Sequence, residues 1–303
     1  MKKFIQKLAS FFGYKVMKIK SIDSADYAGL IKILNIKSDS VILGIIQKLA
    51  NLFGYKAKKI VRIDAKDFDS LTKILITKSD PVILDVGASN GSSVKRYKKL
   101  FKDPEIHCFE PIYDDLNTIK NNYPNDKKLI LNNVGAGDER VYKKLYMNAK
   151  KNTSSFINFI PNTTWVKERS KALNVDDYKF TVKEQDTKII TLDDYANEKN
   201  LTSIDILKID TQGFEDKVLL GAQNLLKNNR IKLIQLELIF SEIYEKTLNI
   251  YDVEKTLIPN NYKLFGISNS GNLISHYIYQ SDFIYISDDI YKNFRSINPY
   301  LNK

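Results

Sequence analysis

The sequence of 303 residues contains one cysteine, Cys108. A single cysteine excludes an intrachain disulfide and a cysteine-based metal cluster, and a reducing compartment is the expected setting. The sequence also lacks an apolar run near the roughly 20 residues that a membrane-spanning helix needs. Its first three residues resemble the start of a signal peptide, but Gln6 and Lys7 interrupt the apolar segment that should follow. We therefore expect a cytoplasmic protein without a transmembrane segment.

Dense clusters of basic residues are absent as well, although the net charge is +11 and the isoelectric point is about 9.3. A basic surface can attract nucleic acid or anionic membranes. Nucleic-acid-binding proteins usually gather their basic residues on one face, with aromatic side chains between them. Here the lysines are spread along the chain. We interpret the charge as a compositional bias towards lysine, asparagine and isoleucine, and we expect no nucleic-acid partner.

The N-terminal part of the sequence contains a tandem duplication with an offset of 41 residues. Of the 39 positions compared from Ile5 onwards, 24 are identical in the two copies. Each copy is predicted to hold a short basic amphipathic helix, an extended piece that begins at Lys18 in the first copy, and a second helix led by Asp26. The duplication is either a membrane-surface or partner-binding arm or a redundant packing appendage, and we favour the appendage. We assign residues 1–80 to this helical appendage and residues 81–303 to the main domain.

From Pro81 onwards, apolar strand-like segments alternate with amphipathic helical segments. Strands are predicted over residues 82–86, 105–109, 128–134, 203–209 and 231–239, and helices over residues 92–101, 113–122 and 215–227. Such alternation predicts an α/β fold with a doubly wound, mostly parallel sheet that helices cover on both faces. Residues 263–267 and 282–287 look like a closing, hairpin-like pair. Residues 142–193 form a candidate cap or substrate-binding insertion.

In folds of this kind ligands bind beyond the carboxyl ends of the strands, so the polar residues there are candidate site residues. The first predicted strand runs into a turn from Asp85 to Gly91, which contains Gly87 and Asn90. Its glycines let the backbone approach a ligand closely. The second predicted strand is followed by Glu110, whose carboxylate can accept hydrogen bonds from the ribose hydroxyls of an adenosine cofactor. We predict that these residues bind the cofactor.

The turn after the first strand favours a sulfonium cofactor over a nicotinamide. Ser89 stands where the dinucleotide-binding fingerprint has its middle glycine, and the last gap is wrong. Asp85 would repel a pyrophosphate but suits a cation with an amino group. The same turn also reads Gly-x-Ser-x-Gly, which is typical of serine hydrolases, and Asp210 and His276 follow in the hydrolase order. A serine hydrolase is therefore the alternative, although it leaves Glu110 unexplained.

A second candidate site surrounds the end of the fourth predicted strand. Lys208 and Asp210 share one face of a strand that should be central, where an unpaired lysine is rarely tolerated. Glu237 on the adjacent strand is the predicted ion-pair partner of Lys208. Glu215 opens the next helix, where it fits either a catalytic role or simple helix capping. No histidine accompanies these carboxylates and their spacing is not diagnostic of a metal site, so we predict no metal.

The sequence resembles the FkbM-type methyltransferases over about residues 81–287. The matching elements are residues 83–91, 109–111, 133–138, 191–194 and 206–215, together with Glu237. The resemblance implies a Rossmann-like class I methyltransferase fold, S-adenosylmethionine as cofactor, and O-methylation, commonly of a sugar or polyketide hydroxyl. Asn133 and Val134, at the end of the third predicted strand, are then expected to flank the adenine. Gln212 stands where the family often has glutamate, and the N-terminal duplication is not a feature that we recognise in the family.

We therefore expect an S-adenosylmethionine-dependent O-methyltransferase that acts on a hydroxyl of a glycan or glycolipid precursor. A sugar hydroxyl is a poor nucleophile at neutral pH, so the reaction needs a general base. Asp210 is the first candidate for the base and Glu215 the second, and Lys208 and Glu237 complete the predicted catalytic set. A non-catalytic glycan-binding protein on the same fold is a further alternative.

Overall fold

The computed structural model describes residues 14–18, 55–59, 68–176, 179–268, 272–274 and 277–297. The chain divides into two compact units, which comprise residues 1–64 and 65–303. None of the helices in the described ranges is both long and apolar enough to cross a membrane.

In the first unit, strands β1 (Tyr14–Lys18) and β2 (Tyr55–Lys59) form an antiparallel pair. Val16 lies opposite Ala57, and these two residues occupy the same position in the two copies of the duplication. The equivalent strands of the two copies therefore pair with each other about a local two-fold axis. The extended piece begins at residue 14, four residues before the predicted start, and the helices predicted within residues 1–64 lie outside the described residues.

The second unit contains the alternating strands and helices expected from the sequence. Its elements are α1 (Phe68–Leu75), β3 (Val82–Val86), α2 (Ser92–Leu100), β4 (Glu105–Phe109), α3 (Tyr113–Asn122), β5 (Leu129–Asn132), β6 (Gly135–Ala136), β7 (Val141–Asn148), α4 (Thr164–Leu173), β8 (Thr181–Ile190), α5 (Leu192–Glu198), β9 (Ile204–Ile209), α6 (Glu215–Leu220), α7 (Gln223–Lys227), β10 (Ile231–Ile239), α8 (Ile250–Leu257), β11 (Lys263–Ile267), β12 (Asn272–Ile274), β13 (Tyr277–Ile278), β14 (Gln280–Ile286) and α9 (Asp288–Ile297). Short 3₁₀ turns lie at Lys151–Thr153 and Ile258–Asn260.

The main sheet has seven strands in the order β11–β14–β10–β9–β3–β4–β5. Neighbouring strands from β10 to β5 are parallel, whereas β14 is antiparallel to both β10 and β11. The mostly parallel sheet and its closing antiparallel pair are therefore confirmed. The chain runs from β3 to β4 and β5 on one side and returns to β9 on the other side. The loops after β3 and β9 meet at this switch point, where such folds bind ligands.

The apolar runs of the sequence are the buried central strands. Ile83, Leu84, Ile206, Leu207 and Ile234 are fully buried. Both faces of a parallel sheet are covered by helices, so its strands need apolar side chains at successive positions rather than at alternate ones. Burial of each such side chain contributes about 1.5–3 kcal/mol.

The helix predicted over residues 215–227 is in fact two helices, α6 and α7. Gly221 lies between them and packs against the backbone of Gly137, where a Cβ atom would stand 1.9 Å from the Gly137 carbonyl oxygen. The helical periodicity continues across this point, but the close backbone contact divides the helix.

The insertion predicted over residues 142–193 contains β7, β8 and α4. β8 lies between β6 and β7 in a separate three-stranded sheet. Phe159, Val166 and Phe180 of the insertion form an apolar cluster with Ile243 and Tyr244, which follow β10. This cluster fixes the insertion against the carboxyl end of β10, where the candidate site lies.

Candidate functional site

A cavity of about 730 Å³ lies beyond the carboxyl ends of β3, β4 and β9. One half is lined by residues that follow β3 and β4, among them Gly87, Asn90 and Glu110. The other half is lined by residues that follow β9. Residues 150–156 of the insertion reach both halves, since Lys151 lies 3.8 Å from Asp115 and the Ser155 hydroxyl donates to the Gln212 carbonyl oxygen. The two sites that the sequence indicates separately are therefore parts of one cavity.

The turn after β3 depends on two glycines. Gly87 has a φ of 78°, and a Cβ atom there would lie 1.9 Å from the carbonyl oxygen of Asp210. Gly91 has a φ of 87°, and its Cβ atom would lie 2.9 Å from a side-chain carbon of Ile119. Asn90 lines the cavity with Gly87, whereas Gly91 does not line it and shapes the turn. The absence of a side chain at Gly87 thus lets the loop after β3 pack directly against the backbone of the loop after β9.

Glu110 is buried at the cavity wall and is held by the backbone. Its Oε2 accepts a hydrogen bond from the Ser89 amide at 2.8 Å, and its Oε1 accepts one from the Ile112 amide at 2.8 Å. Burial raises the pKa of Glu110 to about 7, although these two hydrogen bonds oppose the shift. Each carboxylate oxygen keeps further acceptor capacity for ligand hydroxyls.

Lys208 pairs with a different carboxylate from the one that the sequence suggests. Its Nζ lies 3.3 Å from Asp85 Oδ1 and 3.5 Å from Asp210 Oδ2, and it donates a hydrogen bond to the Gly87 carbonyl oxygen at 2.8 Å. The predicted Lys208–Glu237 ion pair is therefore wrong. The strand β9 has β10 on one side and β3 on the other. Lys208 lies opposite Asp85 of β3, and this residue is its ion-pair partner. Burial alone would lower the pKa of Lys208, but the two carboxylates outweigh it and raise that pKa.

Asp85 is fully buried and is not among the described residues that line the cavity. Its Oδ2 accepts a hydrogen bond from the Ser93 hydroxyl, and its Oδ1 faces Lys208. Asp85 therefore does not face the cavity as expected, and it holds Lys208 beneath the turn that contains Gly87.

Two carboxylates and two amides converge in the second half of the cavity. Gln212 donates to Asp210 Oδ1 at 3.0 Å and to Glu237 Oε2 at 3.3 Å, and its Oε1 accepts from the Tyr244 hydroxyl at 3.0 Å. Gln280 donates to Glu237 Oε1 at 2.7 Å. Burial and the charge of Asp210 raise the pKa of Glu237 to about 8, with further contributions from neighbouring carboxylates.

Glu215 lies away from the cavity lining and holds the turn that leads into α6. Its Oε1 accepts hydrogen bonds from the Thr211 amide at 2.9 Å and the Thr211 hydroxyl at 3.0 Å, and its Oε2 accepts one from the Gly213 amide at 3.0 Å. Burial raises its pKa to about 7. Because its oxygens face backbone rather than cavity, Glu215 is not placed to act as the second candidate base.

Asn133 and Val134 also lie outside the lining among the described residues. β5 ends at Asn132, earlier than predicted, and the Asn133 side chain donates to the carbonyl oxygens of Glu110 and Pro111 at 3.0 Å. Val134 packs against the main core. The neighbouring Gly135 and Ala136 line the cavity in their place.

Several cavity residues could not be identified from the sequence. Trp165 comes from α4, Tyr279 lies between β13 and β14, and Gln280 is the first residue of β14. No local motif marks them. Gln212 can be noticed in the sequence, because it stands where the family often has glutamate. In the structure its φ of 57° is uncommon for a residue other than glycine.

The chain is similar in sequence to known methyltransferases. The chain matches the methyltransferase FkbM domain over residues 85–285. It is 28% identical over 175 residues to the 2-O-methyltransferase NoeI of Sinorhizobium fredii (strain NBRC 101917 / NGR234), a match that covers 54% of this chain and 65% of that protein. The chain thus spans less than two thirds of the length of this relative.

Among solved structures, the methyltransferase FkbM of Methylobacillus flagellatus KT matches with a TM-score of 0.44 and 15% identity, over 69% of this chain and 44% of that one. The magnesium protoporphyrin IX methyltransferase of Synechocystis PCC 6803, solved with bound S-adenosylmethionine, matches with a TM-score of 0.40 and 7% identity, over 94% and 97% of the two chains. The serine-hydrolase alternative required His276, which lies outside the described residues, and the domain match replaces that alternative. Because the matched domain spans more than half of the sequence, the chain belongs to the FkbM methyltransferase family, whose cofactor is S-adenosylmethionine.

Proposed function

We propose that this protein is an S-adenosylmethionine-dependent O-methyltransferase whose acceptor is a hydroxyl of a sugar, in a glycan or glycolipid precursor. One observation carries the proposal. The Glu110 wall and the Asp210–Glu237 pair line the same cavity, so a cofactor bound on one side would meet an acceptor on the other. A cytoplasmic location remains a prediction.

The residues of the first half of the cavity fit the cofactor. Glu110 offers acceptor oxygens to a ribose diol, and each such charge-assisted hydrogen bond contributes about 1.5–3 kcal/mol. Val86, Phe109 and Ala136 add apolar surface for a flat base. A side chain at Gly87 would collide with the backbone of Asp210. When bound, S-adenosylmethionine supplies an electrophilic methyl group.

The residues of the second half of the cavity fit a sugar. Trp165 and Tyr279 contribute aromatic surface, on which the C–H face of a pyranose ring can pack. Gln212 and Gln280 contribute amides beside this surface, and Asp210 contributes a carboxylate. These groups can hold one hydroxyl in a fixed direction, and such alignment lowers the barrier to transfer. The name of the relative, a 2-O-methyltransferase, supports transfer to oxygen.

The proposal is tested with the purified full chain, methyl-labelled S-adenosylmethionine and a panel of p-nitrophenyl glycosides. We expect label in at least one glycoside, with the new methyl group on a ring oxygen. In cells, loss of the gene should remove one methyl group from a glycan, as read by mass spectrometry. Cofactor binding with no transfer to any glycoside or cellular glycan would favour a glycan-binding protein on the same fold.

A further inference from the structure

The two carboxylates beside the acceptor half of the cavity have unequal surroundings. Asp210 lies 3.5 Å from the ammonium of Lys208. Glu237 is held by two neutral amides, those of Gln212 and Gln280. Within the described part of the chain, no lysine or arginine forms a salt bridge with Glu237.

The charged groups that act electrostatically on Glu237 are mostly negative. They are Asp210 on the neighbouring strand β9, Asp282 directly opposite on β14, and Glu215 at the start of α6. Lys208 is the positive group among them and has the smallest influence of the four. Arg96 of α2 shares a smaller cavity of about 250 Å³ with Glu237, but its guanidinium donates to Gln235.

This asymmetry separates the roles of the two side chains. A buried carboxylate among other carboxylates binds protons strongly. A carboxylate whose proton affinity is raised towards neutral pH in this way is suited to act as a general base. Asp210 is then suited to orient the acceptor.

We propose that Glu237 is the general base that removes the acceptor proton, and that Gln212 and Gln280 are positioning residues that hold its carboxylate. This inference rests on the proposed methyl-transfer function. Gln212 suits the role because its amide offers one donor to each carboxylate, while its oxygen is fixed by Tyr244. A glutamate at this position would add a third negative charge and remove both donors.

The proposed step balances as follows. The acceptor oxygen forms a bond to the methyl carbon while the carbon–sulfur bond breaks, and the electron pair of the broken bond stays on sulfur. The hydroxyl proton passes to a carboxylate oxygen of Glu237. The products are a methyl ether, neutral S-adenosylhomocysteine and protonated Glu237, which loses its proton to water before the next turnover.

A titration of the full chain tests the proton affinity without any acceptor. With glutamate labelled by ¹³C at the carboxyl carbon, we expect one resonance with a midpoint of about 8 that is missing from Glu237→Gln. Asp210→Asn should move this midpoint down, because it removes a nearby negative charge. A midpoint for Glu237 near the ordinary value of 4.5 would overturn the inference.

The pH profile of glycoside methylation tests the role in catalysis. We expect the turnover number of the wild type to rise with pH along a limb near pH 8. Glu237→Gln should abolish this limb and lower turnover by about 10²–10⁴-fold, with cofactor affinity unchanged within about twofold. Gln212→Glu should move the limb to higher pH. Glu198→Gln is the matched control, because Glu198 is exposed and pairs with Arg140.

The outcomes separate this inference from the proposed function. If the wild type does not bind S-adenosylmethionine, the proposed function fails and the inference fails with it. If the wild type methylates a glycoside while Glu237→Gln keeps both the turnover number and the pH-dependent limb, the role of Glu237 as general base is refuted and the proposed function stands. If cofactor binds but no glycoside is methylated, the sugar acceptor is refuted, and the carboxyl titration decides about Glu237.

Discussion

Replacement of Lys208 by methionine should be among the most damaging single changes in this fold. Lys208 lies at the centre of the sheet, with 13% of its side chain exposed, and its partner Asp85 is fully buried. Methionine replaces the apolar stem of the lysine but removes the ammonium. Asp85 would then be a buried carboxylate with the Ser93 hydroxyl as its remaining partner. Loss of one member of a buried ion pair typically costs about 3–5 kcal/mol.

That cost corresponds to a roughly 10²–10⁴-fold increase in the unfolding equilibrium constant. Urea unfolding, followed by Trp165 fluorescence and circular dichroism, measures it as a lower midpoint with an unchanged slope. The identity of the partner is tested by double variants. Lys208→Met with Asp85→Asn should recover a large part of the loss, because no uncompensated charge remains. Lys208→Met with Glu237→Leu should recover none.

The reasoning is refuted if the two double variants behave in the opposite way. It is also refuted if Lys208→Met costs less than about 1 kcal/mol, since a loss that small is typical of exposed ion pairs. Residues in direct contact usually show coupling energies of about 0.5–3 kcal/mol in such cycles. The expected coupling between Lys208 and Asp85 lies at the upper end of that range, because both groups are buried.

Three further predictions concern the cofactor, the acceptor and the duplication. Affinity for S-adenosylmethionine should rise as the pH increases from 6 to 8, because Glu110 has a pKa of about 7 and its ionised form accepts ribose hydrogen bonds better. Calorimetry should also show at least tenfold weaker binding by Glu110→Ala. Tight binding of NAD with no binding of S-adenosylmethionine would contradict this role. Asp210→Asn should keep cofactor affinity within a few-fold but lose about a hundredfold in turnover, whereas Ser89→Ala should keep most activity. Loss of activity in Ser89→Ala with full activity in Asp210→Asn would favour the serine hydrolase. Cysteines at Val16 and Ala57 of the full chain should form an intrachain disulfide, because antiparallel partners have Cα atoms about 4.5–5.5 Å apart. One free thiol, that of Cys108, should then remain after oxidation, and three free thiols would contradict the register.

Local sequence patterns determined most of the architecture. The continuous apolar runs at residues 82–86, 105–109 and 231–239 predicted buried parallel strands, and the structure confirms them. The alternation of these runs with helical segments then implied a doubly wound sheet. The candidate site followed from the same patterns, because polar residues at the carboxyl ends of parallel strands must meet at one edge. Glu110, Asp210 and Gly87 were found in this way.

Tertiary structure alone decided which of these residues touch. The two-residue period of a strand shows which side chains share a face, but it does not show which strand lies alongside. β9 has β10 on one side and β3 on the other, and Lys208 pairs across to Asp85 rather than to Glu237. Among the described residues, Glu237 forms no salt bridge, and it accepts hydrogen bonds from the amides of Gln212 and Gln280 instead. Gln280 reaches it because β14 lies antiparallel beside β10, a pairing between distant segments that local periodicity does not encode.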